Sequence, residues 1–319
     1  TSCSSKKTGH AEITIEISDL EPDFTMAKAE EQIKTRLSNY LVCSNDEIKT
    51  SLNGNQFTLN FDYTEKDSIN NFILNKLLNT EKSFVEFYEV EDNISMLSKL
   101  NEVETHIKTI LGDSTLKALG TKYNHSDTNF ISHPFYSICA ISGFQNYSNK
   151  QNIIPQADFI LTKAEDTSLV NLFFNLPEFK RSYFRNNLFY WSLKPSTNSG
   201  TTPLYSLYSL KKSGLETILN GKNIDHADKT EDPNGNPCVE LIFNHTAKEK
   251  WQEETKRISI PTGTPSRKGY IAITLDERVL MAPIVEGEIS NGYAQITGRF
   301  TVNECDELVA EIELPFFFS

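Results

Sequence analysis

The apolar pattern of this chain predicts an α+β protein, and three observations carry that prediction. Short segments alternate apolar and polar residues in the manner of half-buried strands, as in Ile13, Ile15 and Ile17 over 11–17. Between them lie stretches with helical stripes, such as Leu97, Leu100, Val103, Ile107 and Ile110 on one side of 93–112. Local punctuation fits both kinds: Asn53-Gly54 is a hairpin turn between two alternating runs, and Thr301 with Glu304 has the spacing of a helix capping box.

The first strand, 11–17, leads through Pro22 into a helix over 26–40, where Ile33 and Leu37 lie four apart on an inward stripe. A hairpin of 47–52 and 56–63 follows. A second helix, 67–78, offers Ile69, Phe72, Ile73 and Leu77 to a core, and a strand over 83–90 closes the unit. The order β-α-β-β-α-β over 11–92 predicts a ferredoxin-like base module with helices on one face of an antiparallel sheet, preceded by a flexible tether at 1–10.

Residues 93–205 read as a helical linker and an α/β insertion. The helix of 93–112 is followed by a polar loop over 120–132, strands over 135–141 and 158–161, and a helix over 167–174. Two apolar strands, 188–193 and 204–210, flank a turn region at 195–203. The last module, 206–315, is an α+β head with a closing helix. It contains a hairpin of 270–275 and 279–285 about Asp276-Glu277-Arg278. A strand at 293–296 comes next, and Gly298 is expected to adopt backbone angles closed to other residues. Thr301 opens the final helix, which runs to about 313, before Pro315. No residue motif recurs between the first and last modules, so no internal repeat is read.

A chain of 319 residues is long enough for two or three domains. Its formal charge of −12 and the absence of a basic patch exclude nonspecific binding to nucleic acid, which depends on Lys and Arg neutralising phosphates. The acidic excess reads as a solvated surface. No apolar run reaches the roughly 18–20 residues that span a bilayer as a helix.

No catalytic signature appears, and no catalytic residue, metal ligand or cofactor is expected. His125 and His133 with Cys139 are the nearest approach to a Cys/His pair, but a buried Cys and unpaired exposed histidines are the favoured reading. His226 lies near Asp225 and Asp228, yet adjacent strand residues point to opposite faces. Glu30-Glu31 and Glu253-Glu254 read as solvated helix faces. Cys43, Cys139, Cys238 and Cys305 are far apart without ligand spacing and read as small buried apolar residues rather than disulfides. The aromatic run Phe173, Phe174, Phe179, Tyr183, Phe184, Phe189, Tyr190 and Trp191 reads first as core, with an apolar docking surface as the sharper alternative. The tail Phe316-Phe317-Phe318 poses the same choice.

Three runs near the end share one pattern: Ile271-Ala272-Ile273-Thr274-Leu275-Asp276, then Met281-Ala282-Pro283-Ile284, then 291–301, reading NGYAQITGRFT. This block resembles the signature of the SecD and SecDF auxiliary subunits of the bacterial Sec translocon, in their first extracytoplasmic domain. Asp276, Ala282, Pro283, Gly292, Gln295, Thr297, Gly298 and Thr301 are the structural signature positions; Met281 and Asn291 depart from the usual small residue and glycine. The resemblance extends to 219–224, to 237–244, to the helix at 29–41 and to the strand 84–90. The middle is similar to an insertion of Bacteroidetes-type SecDF proteins at 176–180, 189–191 and 204–207. It implies a noncatalytic module on the periplasmic side of the cell envelope that binds unfolded or translocating polypeptide, with the Sec translocon as a partner. It also implies a base of 11–92 with the closing helix, and a head within 206–299.

The start, Thr1 to Lys7, resembles the end of a lipoprotein signal, with Cys3 as the lipidation candidate and a membrane as partner through that lipid. On that basis the chain is a free-standing or excised relative. The alternative is a membrane-anchored envelope lipoprotein that reuses the fold for structural or other ligand binding.

Overall fold

Two kinds of strand are written into the chain, and they build different sheets. Strand β3 (Gln56–Tyr63) buries Leu59 and Phe61 and leaves its other side more open, as a one-faced antiparallel strand does. It lies between β1 (Gly9–Glu16) and β2 (Lys49–Asn53) in a three-stranded antiparallel sheet. Strand β4 (Val85–Glu91) instead buries Val85 and Phe87 on one face and Tyr88 and Val90 on the other. A strand that is apolar on both faces belongs in the middle of a covered sheet.

That is where the computed structural model puts it. The structure describes residues 9–16, 30, 34, 48–53, 56–63, 85–125, 127–147, 150–196, 202–211, 217–263, 266–298 and 300–313. The expectation that 83–90 closes the N-terminal unit is therefore corrected: β4 pairs with β14 (Ile271–Leu275) and β11 (Leu219–Asn220), not with β1. The rest of the predicted ferredoxin-like unit, its helices at 26–40 and 67–78 and the Asn53-Gly54 turn, lies largely outside the described residues.

The strand order of the large eight-stranded sheet is β11-β4-β14-β15-β9-β10-β8-β5. Its remaining strands are β5 (Cys139–Ile141), β8 (Asp158–Lys163), β9 (Asn187–Ser192), β10 (Leu204–Lys211) and β15 (Arg278–Met281). It takes strands from all three expected segments, so the boundaries drawn at 92 and 205 fall inside one sheet. A two-stranded hairpin, β6 (Phe144–Tyr147) with β7 (Lys150–Ile153), stands apart. A second three-stranded antiparallel sheet has the order β12-β13-β16, from Ile224–Glu231, Pro237–Phe243 and Tyr293–Ile296.

The described helices are α1 (Asn93–Lys122), α2 (Thr128–Ser132), α3 (Thr167–Phe174), α4 (Pro177–Ser182), α5 (His245–Ser259) and α6 (Val302–Glu313). Helix α1 continues well past Gly112, which kinks it with φ of 73°, and α2 follows. Most of the loop expected over 120–132 is thus helical, because Leu116 and Phe130 are drawn into the core. The strand expected over 135–141 is mostly turn and shortens to β5, since Phe135 and Ile138 fill the core from a turn. The segment expected to extend to 285 ends as β15 at Met281, with only an isolated bridge from Tyr270 to Ile284 beyond.

Apolar burial gathers in two large cores. One lies around α1, α3 and β8–β10, with Met96, Leu100, Val103, Phe159, Phe173, Phe174 and Trp191. It absorbs the aromatic run, in which Phe173, Phe174, Phe179, Phe184 and Trp191 are buried, so the docking-surface alternative is overturned for these residues. The other joins β4 and β14 to β13, β16, α5 and α6. There Trp251 packs edge-on to Phe87 at 5.4 Å and lies 5.2 Å from Phe243. Cys139, Cys238 and Cys305 are free and buried, as the spacing had suggested.

Candidate functional site

Strand β4 ends in Glu89, Val90 and Glu91, and at Asp92 the chain turns directly into α1. Asp92 fits that junction because its side chain caps the helix: Oδ1 accepts from the Ser95 amide at 2.8 Å. Its Oδ2 accepts from Arg267 Nε at 2.7 Å, and both side chains are largely buried, 11% and 14% exposed. Arg267 is presented by a small hairpin in which Thr262 and Arg267 exchange two backbone hydrogen bonds of 2.8 Å. One turn of β4 earlier, Glu89 accepts from Lys211 Nζ of β10 at 2.5 Å and from Arg257 Nη2 of α5 at 2.7 Å. Glu91 accepts from Lys99 at 2.7 and 2.9 Å.

These groups, Lys99 apart, line a cleft of about 190 Å³ whose other walls are Ile258, Ile260 and Gly269–Tyr270. Ile260 is 59% exposed at its rim. Burial alone would raise the Asp92 carboxyl, but the Arg267 and Ser95 hydrogen bonds outweigh it and hold the group below its ordinary value. Glu89 is likewise pushed up by burial and pulled further down by Lys211 and Arg257. A carboxylate depressed in the folded state contributes stability above its unfolded value and loses it as pH falls through the folded value. Urea midpoints are therefore expected to hold steady at neutral pH and to decline below about pH 4, where unfolded carboxylates protonate. Asp92→Asn should lower the midpoint at pH 7 and flatten the acid limb; parallel limbs for variant and parent would show that the pair contributes nothing to it.

The cleft combines paired charges with an apolar lip. The residues weighed for chemistry lie elsewhere. His125 Nε2 meets Asp166 at 2.5 Å and its ring stacks on Phe130; His133 meets Glu104 at 3.1 Å. Burial raises the Cys139 thiol, which opposes formation of a nucleophilic thiolate. His226 and Asp228 form an exposed pair at 3.1 Å. Among the described residues no group of three His, Cys, Asp or Glu side chains could hold a metal ion, and no helix is long and apolar enough to cross a membrane. Cys3, Cys43 and Phe316–Phe318 lie outside the described residues.

The signature positions do not line the cleft. Asp276 and Glu277 form the two-residue β14–β15 turn, with φ of 47° and 62° and Leu275 paired to Arg278. Positive φ at both central positions matches the twist of the strands it joins. Pro283 O accepts from the Ile271 amide at 3.2 Å, beside the half-buried Ala282. Gly292 has φ of 78°, and a Cβ there would come within 2.8 Å of Lys248 Cδ. Gln295 on β16 donates to Glu240 on β13 at 3.1 Å, and the Thr297 amide to Met281 Sδ at 3.3 Å. Thr301 and Glu304 form the reciprocal cap, Thr301 N to Glu304 Oε2 at 2.7 Å and Glu304 N to Thr301 Oγ1 at 3.2 Å. Gly298 is corrected: its φ is not positive, and a Cβ would instead come within 2.9 Å of the Phe300 ring.

Sequence reasoning did not single out Asp92 and Arg267. They are 175 positions apart, and no local pattern links them.

Residues 195–314 match the family model described as SecDF, P1 head subdomain. That span contains β10–β16, α5, α6 and every signature position. Curated relatives are each named protein translocase subunit SecD. That of Rickettsia prowazekii is 34% identical over 93 residues, 29% of this chain and 16% of the relative. In Acidaminococcus fermentans the figures are 37% over 92 residues, 29% and 20%, and in Magnetococcus marinus 31% over 113 residues, 35% and 19%. The matched segment thus spans a fifth or less of these relatives. Among solved structures, SecDF of Thermus thermophilus, described as a translocon-associated membrane protein, superimposes over 98% of this chain and 30% of that one, at 16% identity and a TM-score of 0.40. Another, described as a membrane component SecDF that enhances protein export, gives 97%, 98%, 16% and 0.33.

Proposed function

We propose that this chain is a noncatalytic extracytoplasmic module of SecD type, which binds unfolded or translocating polypeptide and assists Sec-dependent export. The observation that carries the reading is the head-subdomain match over 195–314, within which the hairpin turn, the Gly292 loop and the capped helix keep the geometry their residues require. The relatives matched there are translocase subunits. A binding role also suits the surface. Among the described residues β16 is an edge strand, where an extended segment can add main-chain hydrogen bonds. Its Tyr293 is the register partner of Ile242, and the two large apolar side chains are 37% and 36% exposed. The module acts on the periplasmic side, as a base and head with the Bacteroidetes-type insertion between, held at the membrane through Cys3 and near the translocon.

Photoreactive residues at Glu288 and Tyr293 test this in the native cell. Crosslinks to secretory chains and translocon subunits are expected. Crosslinks confined to other envelope components would overturn the export reading in favour of a lipoprotein that reuses the fold.

A further inference from the structure

Among the described residues one partly enclosed arginine lacks an acceptor. Arg257 is shared between Glu89 and Glu254, Arg267 is fixed on Asp92, and the exposed Arg181 donates to Pro177 O. Arg278 is more enclosed than Arg257 or Arg181, yet among the described residues its guanidinium makes no ion pair and no side-chain hydrogen bond. Burial weakens its hold on its proton, opposed in part by the nearby Tyr205 and Glu277. A desolvated guanidinium with five donors unused is costly unless something supplies the acceptors.

The sheet shows what surrounds it. Arg278 begins β15 and is the parallel register partner of Trp191 on β9. Trp191 is in turn opposite Leu207 on β10, two residues from Tyr205, so Arg278, Trp191 and Tyr205 stand on one face. Val279 points to the other face, into the small core of Tyr88, Val90 and Ala272. Trp191 already donates to Asn171 at 2.9 Å, which fixes its ring and leaves it no donor to spare. The result is a planar cation beside a phenol and a locked indole, partly open to solvent, with the Glu277 carboxylate near it but not hydrogen-bonded to it.

We propose that Arg278, with Tyr205 as a second donor, is a binding site for a carboxylate group carried by a bound polypeptide. A carboxylate matches the guanidinium fork with two parallel hydrogen bonds, which a carboxamide cannot do. The inference rests on the polypeptide-binding reading for its occupant. An acidic side chain or a chain's C-terminal carboxylate would serve alike.

Two measurements on the full chain separate the site from that reading. The Arg278 Nε–H resonance, assigned by its loss in Arg278→Lys, is titrated with N-acetylglycine and with N-acetylglycinamide. It should shift with the acid and not with the amide; equal response, or none, overturns the site. Unstructured peptides are then compared by fluorescence anisotropy as Glu against Gln at one internal position, and as free acid against amide at the C-terminus. Whichever carboxylate is the source should tighten binding about tenfold, roughly 1.4 kcal/mol. That discrimination should vanish in Arg278→Leu while the carboxamide peptide binds as before. Binding of every peptide with no carboxylate preference overturns this inference and leaves the polypeptide reading standing. A resonance shift without any peptide binding supports the carboxylate site and overturns the polypeptide as its occupant.

Discussion

Replacing Phe174 with alanine is expected to destabilise the protein by about 3–5 kcal/mol, the usual range for a fully enclosed phenylalanine. Phe174 is 2% exposed and sits among four rings, with centroids 4.6 Å away at Phe189, 5.1 Å at Phe184, 5.7 Å at Phe135 and 5.8 Å at Phe159. Those rings come from a turn, two strands and the stretch after α4, so none can follow the vacated space without moving its own element. The loss therefore combines lost transfer energy with a cavity that collapses only in part. The chain's two tryptophans separate the readouts, since Trp191 belongs to this core and Trp251 to the other. Urea unfolding followed by fluorescence, with each tryptophan in turn replaced by phenylalanine, should show the larger shift in the signal from Trp191. A midpoint within error of the parent would mean that the aromatic run is not a packed core.

A comparable effect, about 3 kcal/mol, is expected from Asn93→Ala. Asn93 is fully buried at the start of α1, and its Nδ2 donates to Ser142 O at 2.7 Å and to Ile154 O at 2.9 Å. Its Oδ1 accepts from the Gln156 amide at 3.0 Å. One side chain thus pins both ends of the 142–156 segment, which carries the hairpin β6–β7. Alanine leaves two carbonyls and an amide without partners, at about 1–3 kcal/mol for each that water cannot reach. Hydrogen exchange should report the loss locally, as faster exchange across 142–156 than in β13. Uniform exchange rates in parent and variant would show that other contacts hold the segment.

Much of the fold was legible because its signals are local. The Asp276-Glu277 turn, the Thr301/Glu304 cap, the stripe of α1 and the strands β8, β9, β10 and β13 each depend on residues a few positions apart. The hairpin β6–β7 was not legible: Phe144–Tyr147 and Lys150–Ile153 are mostly polar on both sides, and their place is set by Asn93, about fifty residues earlier. The cleft was hidden for the same reason, since Asp92 meets Arg267 and Glu89 meets Lys211 and Arg257 only after the sheet has formed.

By itself the sequence determined most strands and helices after residue 93 and the turn and cap chemistry, because periodicity, capping and turn signals are short-range; the resemblance to SecD lay in its C-terminal block. Only the tertiary structure decided that β4 leaves the N-terminal sheet for the centre of the large one. A strand with two apolar faces is most stable where both are covered, and the covering faces come from segments far along the chain. Tertiary packing likewise left Arg278 enclosed without a hydrogen-bond acceptor among the described residues, since register brought Trp191 and Tyr205 beside it.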